Sequence, residues 1–171
     1  MAIFTDNDFD RLDWNILRHS AVSLYMKQQL LEDALSWFKS EKYKIHKIDC
    51  SEWKKFKFQM SKALNFLENF GCAEWTGNLD ALNDAFSSLN ISNDAGTVFC
   101  FDGYHHLNKF DQRTANIILD ILGRASRDNL LYGKRLIALV QSDDPHISFP
   151  VIGGTAAMWN EKEWLNSSRG I

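Results

Sequence analysis

Apolar residues recur at helical intervals at Leu24, Leu31, Leu35 and Phe38, so the first forty-odd residues are expected to be helical. The pattern breaks near Lys42, and residues 43–48 then have the length and composition of a short strand. Ser51 is placed to cap a helix whose apolar positions Trp53, Phe56, Met60, Ala63 and Leu64 keep the three-and-four spacing and whose exposed side is rich in lysine. Gly71 ends that segment, and after the connection CAEWTG a second helix is expected from Asn78 to about Leu89. Residues 97–101, TVFCF, form an unbroken apolar run of strand length, as a strand covered on both faces requires. Residues 111–127 return to the helical pattern through Ala115, Ile118, Leu119 and Leu122, and residues 136–140, LIALV, are a further buried strand.

Strands joined by helical crossovers run parallel, with right-handed connections. The expected fold is therefore α/β, a small three-stranded parallel sheet flanked by helices. It is read as one domain over 1–171, with a core at about 43–144, an N-terminal helical extension over 1–42 and a C-terminal extension over 145–171. Pro145 and Pro150 mark an irregular stretch, and Asn160 with Glu163 resembles a capping box for a short terminal helix holding Trp159 and Trp164.

With 171 residues, 45% hydrophobic and 13% aromatic, the chain is neither a disordered segment nor a disulfide-stapled miniprotein. Its formal net charge of -3 offers no general basic excess, so nucleic acid is not expected as a direct ligand. Cys50, Cys72 and Cys100 lack CxxC spacing and point to a reducing compartment. The first residues carry acids where a signal peptide needs a basic start, and no segment approaches the roughly 18 apolar residues of a membrane span. A cytoplasmic protein without a membrane partner is expected.

The charges are unevenly placed. From residue 63 to 108 there is no Lys or Arg, while Glu68, Glu74, Asp80, Asp84, Asp94 and Asp102 supply six acids; all 19 bases lie outside this stretch, against 16 of the 22 acids. A run of buried helix and strand with one solvated face would explain this equally well. On the helix from Asn78, however, Leu79, Leu82, Phe86 and Leu89 point inward, which gathers Asp80, Asp84 and Ser87 on the outward face with Asn83 at its boundary. Asp80 is explained by the helix dipole, which stabilises a first-turn carboxylate by about 0.3–1 kcal/mol. Asp84 lies one turn deeper, four residues from a like charge, an arrangement mildly unfavourable in isolation and suited to an Arg- or Lys-rich partner.

Asp102, Asp143 and Asp144 follow predicted strands, where parallel sheets bind ligands, and could serve a Mg-dependent phosphotransfer site. Neither GxxxxGK[ST] nor GxGxxG accompanies them, and an Asp after a strand is more often a turn or cap residue. His105 and His106 are adjacent and read as loop polar residues, with no zinc-site spacing around them. No metal, cofactor or catalytic residue is expected.

The string EWTGNLDALNDAFSSL, followed by TVFCF, a helix and LIALVQSDD, resembles the barstar family, intracellular inhibitors of barnase-like ribonucleases. The likeness extends over about residues 43–144, with residues 31–42 and the tail WNEKEWL similar to longer bacterial members. It implies a non-enzymatic inhibitor or immunity protein that plugs the active site of a ribonuclease toxin, with carboxylates standing where substrate phosphates would sit. By position, the resemblance makes Asp84 the central plug and Asp80 its neighbour, with Glu74 and Trp75 in the preceding loop and Asn83 and Ser87 flanking them. Founding members place an aromatic residue where this chain has Asn83, and an acid where it has Arg124 with Asp120 one turn earlier. A changed rim around a retained acidic centre implies a different cognate nuclease. The same fold could instead bind a non-nuclease protein, with Trp159 and Trp164 as its contacts.

Overall fold

The computed structural model describes residues 4–92 and 95–171. It is an α/β fold with one parallel sheet, but that sheet has five strands and not three, in the order β2-β3-β4-β1-β5. The three expected strands are adjacent in it: β2 (Lys44–Asp49), β3 (Thr97–Asp102) and β4 (Leu136–Gln141).

The additional strands come from the two extensions. β1 (Val22–Tyr25) lies inside the stretch expected to be helical, between α1 (Leu12–Leu17) and α2 (Gln28–Ser40), and pairs with β4. All four of its residues are buried, so it shows no alternation, and its Leu24 falls by chance in register with the helical repeat of α2. The two-residue β5 (Met158–Trp159) pairs with β1 at the far edge. It replaces the expected terminal helix: the tail makes only short 3-10 turns over Glu161–Glu163 and Asn166–Arg169, with Trp159 in the strand and Trp164 between the turns.

Both faces of the sheet are covered. Phe99 and Phe101 of β3, with Leu136, Ala138 and Val140 of β4, face one core; Val98 and Cys100, with Ile137 and Leu139, face the other. This is the pleat alternation of period two, and it makes TVFCF apolar throughout. The second core is closed by Leu31, Ala34, Leu35 and Phe38 of α2. The first is closed by α3 (Trp53–Ala63), α4 (Phe66–Phe70), α5 (Leu79–Ser87), α6 (Tyr104–Phe110) and α7 (Gln112–Leu130).

Two local expectations change. Ser51 does not cap α3; its backbone N–H and hydroxyl both donate to Asp49, and Glu52 stands at the cap position without a side-chain bond. His105 and His106 belong to α6, and His105 is buried, its Nδ1 accepting from the Asp143 backbone N–H at 3.1 Å.

A buried carboxylate fastens the tail to the start of α2. Buried Glu163 accepts from the backbone N–H groups of Met26 and Lys27 at 2.9 and 2.8 Å, at the start of α2. Arg169 is also buried and donates to the carbonyls of Glu163 and Trp164.

His46 of β2 stacks on Phe99 at 4.9 Å, and its buried Nε2 has no hydrogen-bond partner among the described residues. Burial, helped by Lys44, pushes its pKa down to about 4 from 6.5. The unfolded chain therefore binds a proton more readily than the folded one between these values, so the stability associated with His46 is complete above about pH 6.5 and is lost as the pH falls towards 4. His46→Phe, which keeps the stacked ring, is expected to show a weaker fall in urea midpoint across this window. Parallel midpoint curves for the two proteins would contradict the assignment.

Candidate functional site

The acidic helix α5 is set by its own sequence at the N-terminus and by the core along its length. Asn78 caps it, its side-chain oxygen accepting from the backbone N–H groups of Asp80 and Ala81 at 2.9 and 3.2 Å. Leu82, Ala85 and Phe86 are fully buried against the first core, and α5 lies along α7. That packing orients the helix about its axis and leaves Asp80, Asn83, Asp84 and Ser87 all exposed.

Glu74, in the loop before α5, is also exposed. Among the described residues, none of the side chains of Glu74, Asp80 and Asp84 has an ion-pair or hydrogen-bond partner. Asp49, by contrast, is bound to Lys55 and to Ser51, which hold its carboxyl down to about 2. Asp94 lies outside the described residues.

Trp75, expected as a partner contact in the loop before α5, lies in that loop with its side chain turned inward. It is 1% exposed, part of the core and not of the outward face. Its backbone N–H donates to the Ser61 hydroxyl at 2.7 Å and its Nε1 to the Asn78 carbonyl at 2.6 Å. Trp75 thus positions the loop and the cap of α5 from beneath, where a tryptophan can bury a large ring only if its N–H finds an acceptor. The local string does not reveal this, because the hydroxyl comes from α3, 14 residues earlier.

Arg124 is exposed on α7 and forms an ion pair with Asp120 at 2.8 Å. Asp120 also accepts from the backbone N–H of Gly153 at 2.9 Å. There the tail crosses α7 so closely that a Cβ on Gly153 would lie 2.5 Å from the Gly123 carbonyl carbon.

Sequence reasoning passed over an aromatic stack that reaches the surface beside this site. Trp53 lies parallel to Phe56 at 5.5 Å and edge-on to Trp75 at 5.7 Å. Phe110, the last residue of α6, also stacks on Trp53 at 6.2 Å and is 70% exposed. The position of Phe110 just before Asp111, which caps α7, resembles that of a helix staple; only its exposure shows otherwise.

At the other candidate position, Asp102 and Asp143 are exposed, and the Gln141 amide links the strand ends by accepting from the Gly103 N–H and donating to Asp143. Asp144 accepts from the His146 backbone N–H in a turn. Among the described residues no group of three or more His, Cys, Asp or Glu side chains is placed to hold a metal ion, and no helix is long and apolar enough to cross a membrane.

A family model described as barstar (barnase inhibitor) matches residues 41–141, which include β2 to β4 and the whole acidic helix. No curated protein matches the chain.

Proposed function

Because the chain belongs to the barstar (barnase inhibitor) family, we propose that it binds a ribonuclease and occludes its active site with the exposed acidic face of α5. The observation that carries this reading is the pair Asp80 and Asp84, exposed on a helix whose opposite side is locked into the core, with neither carboxylate engaged among the described residues. Two unpaired carboxylates four residues apart repel each other weakly. A nuclease cleft that binds RNA phosphates presents the Arg and Lys groups that relieve this repulsion. Glu74, Asn83 and Ser87 border the acidic pair, and Trp75 holds the loop from within.

Inhibition in this scheme requires only that the bound helix exclude RNA. The inhibitor role, a toxin as target and action in the cytoplasm make one reading: an immunity protein protecting the cell that makes it. The test is an RNA-cleavage assay with a barnase-type ribonuclease, beginning with one encoded beside this gene. Cleavage is expected to stop at one equivalent of this protein, and the association rate is expected to fall steeply with salt, since exposed charges steer encounter over a Debye length of about 10 Å at 0.1 M. A nuclease left active by excess protein would refute the inhibitor reading and favour a barstar-fold module for another kind of protein.

A further inference from the structure

The carboxylates of α5 give the proposed interface charge but little apolar area, and tight protein interfaces concentrate their energy in aromatic and arginine anchors as well as in charge. Asn83, on the acidic face itself, supplies no ring.

An exposed ring beside the loop that leads into α5 belongs to Phe110. It stands on Trp53, and Trp53 touches the loop that launches α5: a Cβ on Gly77 would meet its ring at 3.8 Å. Phe110, Trp53 and the segment of Glu74 to Asn78 are therefore one continuous surface at the N-terminal end of the acidic helix. Trp53 in turn packs against Phe56 and Trp75, both buried, so Phe110 rests on a floor of core aromatics.

Resting on the inhibitor reading above, we propose that Phe110, stacked on Trp53, is a specificity-determining contact of this interface that receives an apolar or aromatic side chain on the rim of the nuclease's cleft. Phe110 is 70% exposed and gives the fold little, yet an aromatic group left in water beside a binding face gains free energy as soon as a partner covers it. The choice of an apolar occupant follows from the rings and from their mixed charged neighbours: Trp53 is flanked by Glu52 and Lys54, Phe110 by Lys109 and Asp111, and Arg113 is exposed in the first turn of α7. These neighbours nearly balance and give the stack no acidic field, whereas the carboxylates of α5 favour a cationic group. The two ends of the face thus take different chemistry from one partner, which ties specificity to the shape of the cleft's rim as well as to its charge.

The test uses the full chain and the ribonuclease it inhibits, with four proteins: wild type, Phe110→Ala, Asp84→Ala and, as a control, Tyr132→Ala, an equally exposed ring in the turn between α7 and β4. Phe110→Ala is expected to raise the dissociation rate about tenfold with the association rate, its salt dependence and the melting temperature unchanged. Asp84→Ala is expected to lower the association rate and flatten its salt dependence, and Tyr132→Ala to match wild type. Phe110→Ala binding within about twofold of wild type, where Asp84→Ala fails, would overturn this inference and leave the inhibitor reading standing. Wild-type affinity in both variants would overturn the two together.

Discussion

Asp84→Ala is expected to weaken ribonuclease binding by at least about 30-fold, the loss of some 2 kcal/mol that marks a charged hot spot, with no loss of stability. The two effects separate because of where Asp84 sits. Its carboxylate makes no bond among the described residues, lies beyond the first turn of α5 where the dipole would favour it, and stands four residues from Asp80. Alanine relieves the like-charge pair and is the better helix former, so the melting temperature should hold or rise slightly. In the complex the same carboxylate would be desolvated against basic groups, and deleting it leaves those groups buried and unpaired. Asp80→Ala should cost less in binding and a few tenths of a kcal/mol in stability, since a first-turn acid does serve its helix. Glu161→Ala, on the exposed tail, is the control; equal losses from Asp84→Ala and Glu161→Ala would place the inhibitory face elsewhere.

The largest stability effect is expected at Asp13. Its side chain is 0% exposed and accepts from Arg11 through Nε at 3.0 Å and Nη2 at 2.9 Å, from the Tyr43 hydroxyl at 2.5 Å, from the Trp14 backbone N–H at 2.8 Å and from Arg135 at 3.3 Å. Burial and this hydrogen bond push the Tyr43 phenol well above its ordinary pKa, so it stays a donor. Tyr43 itself is held tightly, for a Cβ on Gly96 would lie 2.1 Å from its ring. Asp13→Ala would remove the acceptor shared by all these donors, and deleting one partner of a buried ionic network costs about 3–5 kcal/mol. For a chain of this length that is a fall in melting temperature of roughly 6–20 °C. Urea unfolding at neutral pH measures it directly, and a loss below about 1 kcal/mol would show the network to be incidental.

The position of Asp13 gives this prediction a second use. It lies in α1, outside the matched residues 41–141, while Tyr43 and Arg135 flank strands inside them. We propose that residues 1–171 are one folding unit; β1 paired with β4, and Glu163 bound to the start of α2, support this. A single cooperative transition, shifted as a whole by Asp13→Ala, is the expected result. A second transition left in place would instead separate the extensions from the core.

By itself the sequence determined whatever depends on local period and local charge. The apolar runs at β3 and β4, the inward stripes of α5 and α7 and the absence of bases from residue 63 to 108 are legible because each is repeated over several neighbouring positions. The family likeness was legible for a related reason: NLDAL and the acid after it lie in one short string.

The tertiary structure alone decided the rest. β1 and β5 are strands because β4 and then β1 offer them hydrogen-bonding edges; runs of four and two residues carry no period of their own. Trp75 is interior because Ser61 and Asn78 satisfy its N–H groups. Phe110 is exposed beside the acidic helix because Trp53, 57 residues earlier in the numbering, lies beneath it. In each case the free energy resides in a contact between distant segments, and a pattern read along the chain records a residue's neighbours in sequence but not those that the fold brings to it.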